Sequence, residues 1–275
     1  MISRYEVTLN NKSLGNLITR KVKYIDNKGK EQTRTEYPLL VLDVAYSGIQ
    51  YQTKMHAVAG LDGYEIADKY AQRQTVTVSF ELHLYDTAAR NAACQKVIEW
   101  AKDGGTLKIN DRTNQYLRVR CESFPVINSV KHWTDPLTVV FATEAIPFWR
   151  SEKPISLAPG SGTGPSGYLK MDGNAGKTLV TASIKANEKI TSLQIACGAT
   201  KLVFKGFTMA KNDVMSITYT NDRYLSVKVG NNSFLKYLQS GSSDRLLATC
   251  GVSNKVVVSA DKKVTPTLSA EGLGL

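Results

Sequence analysis

The stretch Thr75-Val76-Thr77-Val78-Ser79-Phe80-Glu81-Leu82-His83-Leu84-Tyr85 decides the reading of this chain. Val76, Val78, Phe80, Leu82 and Leu84 alternate with Thr77, Ser79, Glu81 and His83. Successive side chains leave a strand on opposite faces, so this pattern predicts a long strand with one buried face and one polar face. Shorter alternations at residues 39–44, 116–121 and 137–141 predict companion strands. Turn-forming residues separate them: Gly60-Leu61-Asp62-Gly63, Asn110-Asp111 and Asp135-Pro136.

One helix interrupts the strands. Asp86 or Thr87 can cap residues 88–102, and Gly104-Gly105 stops them. Ala89, Ala93, Val97 and Ala101 recur at intervals of four, with Trp100 beside them. That single apolar stripe predicts a helix lying on the open face of a sheet. Upstream, residues 18–44 read as a long hairpin that turns at Asp26-Asn27-Lys28-Gly29. Its charges, among them Lys21, Lys23, Glu31, Arg34 and Glu36, leave neither face apolar enough for a core. Two readings follow: a projecting arm that contacts another subunit, or a solvated surface hairpin.

Ile146-Pro147-Phe148-Trp149 closes this first half. The Gly-, Ser- and Pro-rich run Ala158-Pro159-Gly160-Ser161-Gly162-Thr163-Gly164-Pro165-Ser166-Gly167 reads as a flexible loop near a junction. Beyond it, strands are expected at 178–185, 190–196, 201–207, 214–219, 224–229, 255–259 and 264–268. Turns punctuate them about every 8–12 residues, the rhythm of an antiparallel sandwich or jelly roll. The fold expected is therefore mainly β. An N-terminal β-sandwich or barrel-like domain, 1–150, carries one α-helix and an extended β-hairpin. A C-terminal β-sandwich, 151–275, follows it.

Composition agrees with two folded domains. The 275 residues are 42% hydrophobic and 21% charged, enough apolar material for real cores. No run approaches the roughly 18 apolar residues of a membrane span. The first residues, Met1-Ile2-Ser3-Arg4-Tyr5-Glu6, lack the apolar segment of a signal peptide, so folding in a cytoplasm is expected. The formal charge of +11 is spread singly along strands and turns, without the clustering of a specific nucleic-acid site.

Chemistry-bearing constellations are scarce. Cys94, Cys121, Cys197 and Cys250 are too far apart in sequence for a zinc clip and read as buried thiols. The histidines are His56, His83 and His132, and no serine sits in a Gly-x-Ser-x-Gly elbow. A pair of carboxylates can converge in space from any sequence separation, so a glycosidase remains a distant third reading. The glycine-rich run lacks the Lys-Ser/Thr and helix of a phosphate loop. No catalytic, cofactor-binding or metal-binding residue is assigned, and no cofactor is expected. Tyr219, Tyr224, Phe234 and Tyr237 could stack on sugars, or be ordinary strand packing.

In order, these features resemble the distal tail proteins of long-tailed phages, the Dit-like family. Gly60-Leu61-Asp62-Gly63, then Arg73 and the strand to Tyr85, is similar to the family's glycine turn and first long strand. The helix ending near Trp100, with Gly105-Thr106-Leu107 and Asn110-Asp111, resembles its helix and following hairpin. Ala145-Ile146-Pro147-Phe148-Trp149 resembles its exit from the first domain. Asn174-Ala175-Gly176, Gly206-Phe207, Asn212-Asp213 and Gly251 to Asn254 resemble its galectin-like second domain. The 18–44 hairpin is longer than usual for the family, and Ala270-Glu271-Gly272-Leu273-Gly274-Leu275 lacks an aromatic finish.

The resemblance implies a structural virion protein, not an enzyme, at the phage tail tip. Its first domain would form a homohexameric ring linking the tail tube to the tip or baseplate. Implied partners are the tail tube protein, the tape-measure protein, a tail-tip or tail-associated protein and a receptor-binding protein. The alternative is an adhesin module that binds cell-wall carbohydrate.

Overall fold

The computed structural model describes residue 3 and residues 5–57, 64–126 and 135–275. The turn 60–63, His132 and Trp133 lie outside the described residues. The chain divides into two compact units, Met1–Pro147 and Phe148–Leu275, and is mainly β.

In the first unit the decisive stretch forms the strand Thr75–Leu82, and Val76, Val78, Phe80 and Leu82 have no solvent exposure. It pairs antiparallel with Leu137–Thr143 on one side and Leu39–Tyr46 on the other. The sheet continues from Leu137–Thr143 through Gln115–Ser123, Gly105–Ile109 and Val7–Leu9 to the short strand Lys12–Ser13. Register places Phe141 opposite Val76 and Leu137 opposite Phe80, so the apolar positions of neighbouring strands share one face. Burying side chains of this size is worth about 1.5–3 kcal/mol each.

The helix Thr87–Ala101 contributes to the apolar layer. The Asp86 carboxylate accepts from Ala89 N–H at 2.8 Å, and Gly104, at φ +62°, ends the last turn. Ala93, Val97 and Ala101 are buried as the stripe predicts, but Arg90 and Cys94 take the place expected of Ala89. The Trp100 and Phe141 rings meet edge to face with centroids 5.9 Å apart, and the Trp100 Nε1 donates to Lys12 O at 2.9 Å. A helix ring thus reaches a central strand and an edge strand.

Residues 18–44 need correcting. The hairpin is Arg20–Ile25 with Glu31–Glu36, whereas Leu39–Tyr46 leaves it to become a sheet strand against Thr75–Leu82. Leu39, Leu40, Val41 and Val44 are buried, which a charged hairpin strand has no means of supplying. A second hairpin, Tyr51–Ala57 with Tyr64–Ala71, was not anticipated as paired strands.

The second unit is a β-sandwich. One sheet runs Ile155–Leu157, Val264–Ala270, Lys177–Ala186, Val214–Thr220, Tyr224–Val229 and Asn232–Ser233, with Leu247–Thr249 also against Lys177–Ala186. The other runs Ser166–Lys170, Ser253–Ala260, Ile190–Cys197 and Thr200–Met209. Ile184, Ile195, Phe204, Ile217 and Val258 are fully buried in the common core. The Gly- and Pro-rich run is not free here, contrary to its composition. Gly162 exchanges two backbone hydrogen bonds with Val264, and Thr163 and Pro165 carbonyls accept from Ala260 and Val258. Backbone pairing of this kind needs no side chains. Among the described residues no helix is long and apolar enough to cross a membrane.

Candidate assembly surface

The two hairpins leave the first unit's sheet at opposite ends. Leu39 pairs with Leu82 and Tyr46 with Val76, so the strand Leu39–Tyr46 spans the length of Thr75–Leu82. The hairpin ending at Glu36 precedes its first end, and the one opening at Tyr51 follows its other end. Each is a two-stranded sheet by itself, without a further strand partner among the described residues. Such a ribbon presents rows of backbone N–H and C=O groups, and a lone two-stranded hairpin is marginal in water.

The first hairpin is held by polar chemistry. Its turn is closed by Asp26, whose carboxylate accepts from Lys28 and Lys30 N–H, both at 2.9 Å. The Lys30 bond first, then that of Lys28, lowers the Asp26 pKa below 3.8. At the base, Glu36 accepts from Arg20 at 2.6 Å and from Arg34 at 2.7 Å, and its pKa is lowered by those two contacts in that order. Lys23 pairs with Glu31 at 2.8 Å, and the Arg34 guanidinium lies 5.7 Å above the Tyr24 ring. Lys21, Lys28 and Lys30 are exposed. A cleft of about 450 Å³ opens at this base, between Arg20, Glu36, Tyr37, Leu40 and His83.

Apolar side chains are exposed on both ribbons: Ile25 at 74% on the first, and Met55 at 58% with Tyr51 and Tyr70 on the second. Apolar groups flanking open strand edges suit β-sheet addition by another chain. The edge strand Leu39–Tyr46 is open over part of its length only, because Val41 N–H donates to Ser3 Oγ at 3.1 Å.

The aromatic residues proposed for sugar stacking do not form one platform. Phe234 and Tyr237 pack on Phe207, with ring centroids 5.8 and 6.0 Å away. The Tyr219 hydroxyl accepts from Leu246 N–H at 2.8 Å, and burial pushes its phenol up to about 12. Tyr219 lies opposite Leu225 and Tyr224 opposite Thr220, so Tyr219 and Tyr224 face opposite sides of their sheet. Tyr224 alone of the four is well exposed.

The sequence's titratable candidates are dispersed. His83, just past the end of the strand Thr75–Leu82, places its Nε2 2.8 Å from the Glu81 carboxylate. The side chains of His56 and His132 lie outside the described residues. None of the four cysteines forms a disulfide; burial raises the thiol of Cys197 to about 11 and also raises Cys121 and Cys250, which disfavours reactive thiolates. Among the described residues no three His, Cys, Asp or Glu side chains gather as metal ligands. The second hairpin and Ser3 were missed by sequence reasoning. The alternation of Tyr51, Met55 and Ala57 with Gln52, Lys54 and His56, ahead of the turn-forming residues Gly60-Leu61-Asp62-Gly63, is the signal that could have found the first strand of the hairpin.

No family model and no curated protein matches the chain. Among solved structures, it is similar to the SPP1 Dit (gp 19.1) protein, presented as a paradigm of the hub adsorption apparatus in Gram-positive-infecting phages. The TM-score is 0.70 at 12% identity, over 98% of this chain and 99% of that one. Two chains of the phage P2 baseplate in its activated conformation are also similar. That with Ca scores 0.48 at 7% identity, covering 99% of this chain and 98% of that one. That with Sr scores 0.42 at 8%, covering 92% and 97%. The first of these similarities establishes a shared fold across both units.

Proposed function

We propose that this chain is a structural phage distal tail protein. Its first unit builds a homohexameric ring that links tail tube to tail tip or baseplate, and its second, galectin-like unit supports receptor-binding components. Its place is then the virion's tail tip. Its neighbours are the tube, tape-measure and tail-tip proteins. The observation that carries this reading is the shared fold with the SPP1 Dit protein along the whole chain.

The two ribbons supply the physical means. A ring needs a heterologous interface, in which one patch meets a different patch on the next copy. A hairpin that adds its edge to a neighbour's sheet provides one half, and the open part of Leu39–Tyr46 is suited to the other. The role requires no chemistry, so the protein acts by binding and not by turnover.

Mass photometry and negative-stain microscopy of the full chain at tens of micromolar test this directly. Sixfold rings are expected. A strictly monomeric 30 kDa species at every concentration would overturn the assembly reading.

A further inference from the structure

The outer face of one sandwich sheet has an unusual charge balance. The strands Ser166–Lys170, Ser253–Ala260, Ile190–Cys197 and Thr200–Met209 contain no Asp or Glu at all. Their outward positions include Lys170, Lys255, Lys201 and Lys205, all exposed and none in an ion pair among the described residues. Register puts them on one face: Lys255 lies opposite Tyr168, Lys201 opposite Ala196 and Lys205 opposite Ser192. Ala196 in turn lies opposite Val257, two residues from Lys255. Four cations therefore share one sheet face, with Lys201 and Lys205 about 13 Å apart along their strand.

A cavity of about 290 Å³ opens on this face, lined by Ser192, Gln194, Lys205 and Ser259 among others. Its lining sets the Ser192 and Ser259 hydroxyls, the Gln194 amide and the Lys205 ammonium around apolar groups of Val203 and Ala260. The carboxylate at its rim, Asp261, is already engaged by Thr191 and Ser192 N–H and the Thr191 hydroxyl. Asp244 is exposed beyond the Thr200–Met209 edge, next to Ser243, whose N–H bonds Lys201 O.

We propose that this face binds an anionic, hydroxyl-rich linear polymer of the polyol-phosphate class. Phosphodiester charges meet the spaced lysines, and the cavity takes one polyol unit through Ser192, Gln194 and Ser259. The only aromatic facing outward from the four strands is Tyr168, too little for the stacking platform that single-stranded nucleic acid requires. The chemistry therefore favours polyol phosphate over nucleic acid. The proposal stands on the second unit alone and is independent of ring formation.

The test titrates the full chain with poly(glycerol phosphate) by calorimetry at several salt concentrations, with neutral dextran and a single-stranded oligonucleotide as comparators. Saturable binding of the phosphate polymer alone is expected. Lys205→Gln with Lys255→Gln should weaken it about tenfold and lower the slope of log affinity against log salt by about two. Lys185→Gln with Lys228→Gln, on the opposite sheet, should leave affinity within about twofold and the slope unchanged. Absence of binding at low salt overturns the proposal. So does an equal loss in both double variants, which would mark diffuse charge attraction, or an equally tight and equally sensitive oligonucleotide. Circular dichroism confirms that each variant is folded.

Discussion

Arg150 is buried at 4% exposure, and its Nη2 lies 2.6 Å from the Asp222 carboxylate. Arg150 sits on the short strand Trp149–Ser151, which pairs with Leu273–Gly274, while Asp222 occupies the turn between Val214–Thr220 and Tyr224–Val229. Glu271 stands 3.7 Å from the same guanidinium. One cation thus ties the first and last strands of the second unit to a distant turn.

Removing a partner from a buried ion pair leaves a charge with reduced compensation, at a cost of about 3–5 kcal/mol. Asp222→Asn should lower the stability of the second unit by about 3 kcal/mol, since Glu271 remains. Arg150→Met should cost less, because Asp222 keeps contact with water. Urea denaturation of the two variants checks the order; equal costs would contradict it.

Gly173 is required by space. At φ +98°, an added Cβ would lie 1.9 Å from Leu273 O, whereas at Gly206, φ +75°, nothing stands within 4 Å. Gly206→Ala should therefore cost about 1 kcal/mol from backbone strain alone. Gly173→Ala should cost at least about 2 kcal/mol and release the pairing of Leu273. Thermal melts give the costs, and amide exchange at Leu275, whose N–H bonds Asn174 Oδ1, reports the release.

The Tyr219 hydroxyl serves the backbone. Tyr219→Phe leaves Leu246 N–H without its acceptor and should cost about 1–3 kcal/mol. Tyr224→Ala, at an exposed position, should stay within about 0.5 kcal/mol of the parent. Melting curves distinguish the two residues, and an insensitive Tyr219→Phe would refute the structural role.

Protonation should loosen the first hairpin's turn. Because the Lys30 and Lys28 amides lower the Asp26 pKa below 3.8, its stabilising contribution is fully present above that value and lost as pH falls through the folded value. Amide shifts of Lys28 and Lys30 followed from pH 6 to 2 should titrate with a midpoint under 3.8. A midpoint at or above that value would show that the two bonds are not kept in solution.

Assembly should depend on that hairpin more than folding does. Replacing residues 22–34 by a two-residue Asn-Gly turn keeps Lys21 opposite Thr35 and suits a tight hairpin. Melting should shift by no more than about 4 °C, because the excised residues carry no core side chain. Rings should disappear. Rings that persist with unchanged stability would move the subunit contact elsewhere.

Much of this architecture is written locally. The alternation from Thr75 to Leu82, the Asp86 cap and the strand rhythm after residue 176 are each consequences of short-range periodicity and turn chemistry, and they recur as built elements. The charge of Arg20–Ile25 and Glu31–Glu36 likewise keeps that hairpin out of a core whatever surrounds it.

Other features depend on which strands meet. Residues 51–57 and 64–71 pair only with each other, and it is the absence of a third strand among the described residues that makes them a ribbon. Tyr219 and Tyr224 are close in sequence, yet pairing register sends their side chains to opposite faces. Lys170, Lys201, Lys205 and Lys255 come from strands far apart along the chain, and their common face exists only through the order of that sheet. Side-chain period and turn preference act over a few residues. Strand order and register are settled by burial between segments a hundred residues apart, which no local pattern encodes.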